Sequence, residues 1–453
     1  MAKYVLKFGG TSLRDADAVK RAFNIINDFY DKNKPEQLVV VASAAGKTGD
    51  DEMDDKITNL LENIYNKEKI SANKNEIISR TSKLCETLGI KPPIDLYSDL
   101  EKAIQENERD DRSYSSIVSM GERISVHTLG NFIKENNLKT ETFDFNEFGM
   151  ITDRYKEAHA TDDATIEIEK SLNGKKGIFI IPGFVGYNDK GEPTTLGRDG
   201  SNYTATKIAE SILADAVYIF SDEPGVRRAN PKLVPDAEII KELTYNEAVE
   251  FAELGAKIIN ARAIGPARNE NIPIHIVDEN YQGTKIASSV SLEHMGAKII
   301  ASSPHHYILT VRYETDKPGV LAQIANYFGD AGINVDSTAD ERHALSFAFL
   351  KDDSGNLESL LKNLGKDYKF SLENSFARIS LIGEGMRNQV GVIEKMASAY
   401  RNKGVSFEMI SQALSQLNIT TFVKQEYERM AVKGLYDEFF RNNKNDGKSA
   451  RQR

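Results

Sequence analysis

With a single cysteine, Cys85, this sequence rules out an intrachain disulfide, a cysteine-ligated zinc site and a bound iron–sulfur cluster. Its seven histidines fall at no metal-ligand spacing, and the adjacent pair His305-His306 reads as a domain junction. Basic residues are in deficit, with 58 Lys plus Arg against 68 Asp plus Glu and a net charge of −10, so no nucleic-acid partner is expected to be held by general electrostatics. A local basic groove for a small anion is compatible with that balance. No run reaches the roughly 18 apolar residues of a membrane span. The opening residues Met1 to Phe8 lead into a strand-like run without the basic, apolar and small-residue order of a secretory leader. The expectation is a cytoplasmic protein with no membrane partner.

What is present is enough for packed cores: 40% of 453 residues are hydrophobic, and that length calls for one large domain plus at least one smaller one. Over residues 1–300 short apolar runs alternate with amphipathic, helix-length segments, the pattern of an α/β domain with a mainly parallel sheet. Tyr4 to Lys7, Leu38 to Ala42, Gly177 to Ile181, Ala216 to Phe220 and Ile272 to Val277 are the candidate strands. Residues 47–115 form a charged stretch with helical spacing at Ile57, Leu60, Leu61 and Ile64, expected as a helical insertion packed on the domain or as a lid over its site.

Beyond Ser303 the texture changes and an internal repeat emerges. Gly319-Val320 is followed thirteen residues later by Gly332-Ile333, and Gly391-Val392 thirteen later by Gly404-Val405, the two units lying about 72 residues apart. Each has a strand before its first glycine, so two copies of one small module are expected, over 304–375 and 376–442, with a strand at the extreme C-terminus as a candidate to complete the first. Residues 443–453 are polar and expected to be disordered.

The residues with the most chemistry open the chain. Lys7-Phe8-Gly9-Gly10-Thr11-Ser12 follows the first strand, and glycines at a strand-to-helix turn let backbone N–H groups approach phosphate oxygens, with Lys7 adding a positive charge. The lysine precedes the glycines, so this is not the GxxxxGK[ST] loop, and spacing alone leaves a plain tight turn open. The string itself resembles the signature of the aspartate kinases of the amino-acid kinase family. Further segments are similar in the same order: Val39 to Ala44 with Ile57-Thr58-Asn59-Leu60-Leu61, Ser119-Met120-Gly121-Glu122-Arg123, Thr194 to Thr206, Ser221 to Val226 and Gly255-Ala256-Lys257-Ile258. The doubled tail resembles paired ACT modules.

That resemblance implies a three-layer αβα sandwich followed by two ferredoxin-like βαββαβ modules, and phosphoryl transfer from MgATP to the β-carboxylate of aspartate. Lys7, Gly9 and Gly10 are then the catalytic set, and Ser43, Thr58, Glu122, Arg198 and Ser201 hold the substrate, Arg198 on the α-carboxylate and Glu122 facing the amino group. Lys7, Gly10, Ser221, Asp222, Arg227, Lys232, Lys257 and Ile258 contact ATP, while Mg²⁺ is held mainly by phosphates and water. An amino-acid effector and a homodimer or dimer of dimers through the ACT modules are implied, with Asp340, Met409 and Asn418 as candidate effector contacts.

Three departures from the family pattern matter. Asn202 stands where an aspartate is usual, with Asp199 three residues earlier. The nucleotide loop reads Ala229-Asn230-Pro231-Lys232, and Thr48 competes with Thr58 for the substrate hydroxyl. A kinase for another acidic amino acid and a catalytically silent amino-acid sensor are the alternative functions.

Overall fold

The computed structural model describes residues 2–47, 56–223, 225–254, 259–291, 295–314, 318–351, 356–412 and 417–441. Thr48, Lys257 and Ile258 lie outside the described residues. The chain divides into two units: Met1–Val226 with Ile239–Val249 and Lys257–Val290, and Arg227–Glu238 with Glu250–Ala256 and Ser291–Arg453.

The first stretch runs β1 (Lys3–Phe8), α1 (Ala16–Asn33), β2 (Gln37–Ala42), α2 (Ile57–Tyr65), α3 (Ile70–Leu88), α4 (Ile94–Gln105), α5 (Asp111–Val118), α6 (Met120–Glu135) and β3 (Thr140–Thr142). It continues through α7 (Asp162–Leu172), β4 (Gly177–Pro182), β5 (Val185–Tyr187), β6 (Pro193–Thr195), α8 (Gly200–Ile212), β7 (Ala216–Phe220), β8 (Glu242–Thr244), α9 (Tyr245–Glu253), α10 (Ala261–Asn269), β9 (Ile274–Val277) and β10 (Gly283–Ala287). Eight strands form one sheet in the order β3-β4-β2-β1-β7-β9-β10-β8, parallel except where β10 meets β9. β2 and β4 are buried at every position, which is why, apart from the hydrogen-bonded Gln37 that opens β2, their sequences are continuously apolar rather than alternating.

Alternation along β1 decides where the chemistry goes. Leu6 and Phe8 join Leu38, Val40 and Ile180 in a core capped by Val19, Ile26 and Phe29 of α1 and Val126, Leu129 and Ile133 of α6. Side chains in a strand alternate faces, so Lys7 points the other way, to the face on which α8 packs against β1, β2 and β7. Within the described part of the insertion, Ile57, Leu60, Leu61, Ile64, Ile77, Leu96, Leu100 and Ile117 make a second core with Met120 and Ile124 of α6.

The second unit contains β11 (Ile299–Arg312), α11 (Val320–Asp330), β12 (Ser337–Glu341), β13 (Ala344–Leu350), α12 (Leu357–Leu364), β14 (Lys369–Ile382), α13 (Val392–Lys403), β15 (Phe407–Gln412), β16 (Asn418–Lys424) and α14 (Glu428–Tyr436). The repeat is explicit in the backbone. Gly319 and Gly391 precede α11 and α13 at φ 94° and 87°, and Gly332 and Gly404 follow them at 66° each, conformations that a Cβ would strain. All six strands form one antiparallel sheet, β12-β13-β11-β14-β16-β15, in which the two long strands β11 and β14 pair along their length.

Each long strand serves both modules, which bears on two sequence expectations. At His305-His306 the strand β11 runs on unbroken, and His305 at φ 66° with a register shift between Ser303 and His306 marks where it passes from one module to the other. The edge beside the start of the second module, at Arg378 to Ile382, is filled by Ile299 to Ser303 from upstream of the first module. Among the described residues no strand follows β16: the chain continues through α14, whose Ala431, Val432, Leu435 and Tyr436 cover the second module's core, into a π-helical turn at Asp437–Arg441. The first unit stops at Val290, and Arg227–Glu238 belongs to the second because Ala229, Val234 and Ala237 are buried among Met396, Tyr400, Tyr436 and Phe440.

Candidate active site

At the carboxyl end of β1 the chain enters a short 3₁₀ turn, Gly10–Leu13, before α1 begins. The N-terminus of α1 is occupied by its own cap, since the Asp15 carboxylate accepts the Ala18 N–H at 2.8 Å. An anion at this loop would therefore meet the glycine-turn amides and Lys7, not the α1 terminus. Glycine is required at residue 10 by proximity: a Cβ there would lie 2.6 Å from the Ala44 carbonyl oxygen. The close approach is tied by the Gly46 N–H donating to the Gly10 carbonyl at 2.8 Å. Lys7 Nζ folds back over Gly9, 3.6 Å from where its Cβ would stand.

Around this loop lies a cleft of about 710 Å³, within the range of small-molecule sites. Lys7, Gly10, Ser43, Thr58, Glu122, Arg198 and Ser201 all line it, so residues spread over nearly 200 positions converge. Small residues permit the convergence. Gly121 lets α6 approach the loop after β2, where its Cβ would meet that of Ala44 at 2.8 Å, and Gly183 does the same for Ser201. Glu122 in the first turn of α6 accepts the Ala44 N–H at 3.2 Å through one oxygen, while its other oxygen is buried without a hydrogen-bond partner among the described residues. Burial pushes its carboxyl up to about 8. Burial also lowers Lys7 below the ordinary lysine value, an effect that the negative field of Asp199 opposes.

Sequence reasoning passed over the outer wall. Glu62 of α2, Tyr114 of α5, Lys156 and Glu157 line the same cleft. Tyr114 donates its hydroxyl to Glu62 at 3.1 Å, and Lys156 Nζ stands 4.3 Å over the Tyr114 ring. No local signal marks these residues, which come from the insertion and from a loop outside every recognised motif.

Other predicted contacts lie elsewhere. Ser221 and Asp222 follow β7 and line a separate cavity of about 250 Å³ with Thr11, Ser12, Arg14 and Phe220; Thr11 borders both cavities. Arg227 and Lys232 belong to the second unit, where the Arg227 guanidinium donates to the Ala237 carbonyl at 2.7 Å and the Lys232 N–H donates to Asn230 Oδ1 at 3.0 Å. Of the effector candidates, Asp340 is exposed on β12, Met409 is buried with Ile308, Phe376 and Phe422, and the Asn418 amide donates to Glu250. Among the described residues no helix is long and apolar enough to cross a membrane.

A mainly parallel α/β sheet with its cleft at the carboxyl ends of the strands, followed by two α/β modules that share one antiparallel sheet, defines the class of an α/β catalytic unit joined to a paired-module tail. The amino acid kinase family model matches residues 2–278 and an ACT domain model matches residues 379–439, and the chain belongs to the amino acid kinase family. It is 28% identical over 449 residues to the aspartokinase of Geobacillus stearothermophilus, covering 97% of each chain. Its fold resembles that of Clostridium acetobutylicum aspartate kinase (TM-score 0.82, 22% identity, 96% of this chain and 100% of that one). It also resembles E. coli aspartokinase III solved with aspartate and ADP (TM-score 0.77, 24% identity, 96% and 99% covered).

Proposed function

We propose that this protein is a cytoplasmic aspartate kinase, converting ATP and L-aspartate to ADP and 4-phospho-L-aspartate at the head of lysine, threonine and methionine biosynthesis. One observation carries the reading: a single cleft gathers a cationic strand end, a glycine turn, a guanidinium and a buried carboxyl. Aspartate offers a matching set of two carboxylates and an ammonium. Arg198 takes the α-carboxylate with a bidentate fork, Glu122 receives the ammonium, and the hydroxyls of Ser43, Thr58 and Ser201 orient the rest.

The β-carboxylate is ionised at neutral pH and attacks the γ-phosphorus directly, so no residue need remove a proton. A bond forms from carboxylate oxygen to phosphorus, the bond from phosphorus to the bridging oxygen of ADP breaks, and ADP departs. Lys7 and the amides of the Gly9-Gly10 turn meet the charge on the transferring oxygens. This economy accommodates Asn202, which cannot serve as a base. Mg²⁺ would arrive with ATP, ligated mainly by phosphates and water, and would neutralise phosphate charge. The ACT modules sense an amino acid and assemble the homodimer or dimer of dimers, with exposed Asp340 the most accessible of the candidate effector contacts.

The test is ADP release from MgATP with aspartate, glutamate and N-acetylglutamate, each repeated with lysine, threonine and methionine added. Turnover confined to aspartate is expected; preference for another acid, or none for any, overturns the reading.

Glu122 gives a second measurement. Its carboxyl, pushed by burial up to about 8, is protonated at neutral pH and must ionise to receive an ammonium. The KM for aspartate should therefore fall as pH rises from 7 through 8. Because the folded value lies above the unfolded one, the native state binds the extra proton between about 4.5 and 8, and stability declines across that window. Glu122→Gln should raise KM at least tenfold, abolish its pH dependence, and unfold at higher temperature than the parent at pH 9. An unchanged KM would remove Glu122 from the ammonium site.

A further inference from the structure

We propose that Asp199 is a positioning residue of this cleft, whose fixed carboxylate holds the Lys7 ammonium charged and aimed at the transferring phosphoryl group. The inference rests on the aspartate kinase reading and adds a residue to it.

Asp199 sits at the N-cap of α8, where an aspartate ordinarily accepts an N–H of the first helical turn. Here the side chain makes no such bond. Its oxygens turn instead to the Asn202 side-chain amide at 2.6 Å and the Asn260 N–H at 2.7 Å. Its backbone is in the left-handed region, φ 62°, a conformation that costs a non-glycine residue energy and that asparagine tolerates as well as aspartate. Those two hydrogen bonds account for its orientation, while the backbone conformation does not call for a charged residue. The carboxylate lines the cleft that holds Lys7, and the attraction is felt by both groups: Asp199 opposes the lowering of Lys7 that burial causes, and Lys7 opposes the raising of Asp199. The other charged groups bordering the cleft are Glu122 from α6, Arg198 beside Asp199, Lys56 and Glu62 at α2, and Lys156 with Glu157.

Asn202 completes the arrangement. It is only 4% exposed, donates to Asp199, and has its Oδ1 buried without a partner among the described residues. Residue 202 thus lies one hydrogen bond from the Asp199 carboxylate, close enough that a negative charge placed there reaches the same neighbourhood.

The test uses the full-length enzyme with MgATP and aspartate. D199N keeps the backbone conformation and one acceptor oxygen while removing the charge. The expected result is a kcat 10- to 100-fold lower with both KM values within about threefold, and an alkaline limb of kcat displaced to lower pH because Lys7 loses its proton more readily. The double variant D199N/N202D should regain at least tenfold of the loss. In a Lys7→Met background D199N should add less than threefold, since a residue acting through Lys7 has nothing left to act on. A D199N kcat within twofold of wild type, an unmoved alkaline limb, or full additivity with Lys7→Met overturns the proposal while leaving the aspartate kinase reading in place. Absence of aspartate turnover in the wild type overturns both.

Discussion

Lys7→Met should lower aspartate turnover by about three orders of magnitude or more, the scale on which a cation facing a transferring phosphoryl group contributes. The substitution keeps an unbranched apolar stem on β1, in register with Val41 of β2 and Ile219 of β7, so the sheet loses no packing. The ammonium is a burden on the fold, because burial depresses its pKa below the unfolded value. Below the folded value both states hold the proton and the native state carries the full cost of the buried charge; as pH rises through that value the cost is relieved. The variant should therefore melt at the same temperature or higher, which separates lost chemistry from lost structure. KM for aspartate should move little, since Arg198 and Glu122 are untouched. Single-turnover phosphorylation measured alongside thermal melting decides the matter: near-normal turnover removes Lys7 from the reaction, and a collapsed melting temperature with low turnover assigns it to folding instead.

What the sequence disclosed follows from the range over which each signal acts. The glycine turn at residues 9 and 10, the cap at Asp15 and the paired glycines that bracket α11 and α13 are short-range devices, fixed by φ preferences and single hydrogen bonds, and they were readable residue by residue. The residues proposed to hold substrate were picked out by motif strings, and Ser43, Thr58, Glu122, Arg198 and Ser201 line one cleft. Pairing is another matter. Alternation identifies a strand but not its neighbour, so nothing local told that β11 and β14 are each shared between two modules, or that Ile299 to Ser303 fills an edge of the module that follows. The bulge at His305 hid in the same way, since a pair of histidines carries no strong turn signal. Arg227–Glu238 joined the second unit through Ala229, Val234 and Ala237, three small or branched side chains whose burial depends on helices more than 150 residues away in the chain. Asp199 was visible as a residue but not as a geometry: only the coordinates reveal that its side chain declines the helix cap and turns to Asn202 and Asn260.

Arg198→Ala should raise the KM for aspartate about a hundredfold, as expected for losing charge-assisted hydrogen bonds worth about 1.5–3 kcal/mol, while kcat changes little. The backbone explains why this guanidinium is available. Gly197 at φ 75° and Asp199 at φ 62° flank it, a sharp turn that throws Arg198 outward at the start of α8. Its side chain is exposed, borders the cleft, and has no hydrogen-bond or ion-pair partner among the described residues. A planar fork held on a rigid turn and left unengaged by the protein is suited to a carboxylate brought in by a ligand. Truncation costs the fold no packed contact, so melting should be unaffected. Arg198→Lys refines the test, because it preserves the charge and loses the fork; a KM between those of wild type and the alanine variant assigns part of the affinity to bidentate geometry. Equal KM values for all three proteins would place the α-carboxylate elsewhere in the cleft, with Lys56 and Lys156 the remaining described cations on its wall besides Lys7.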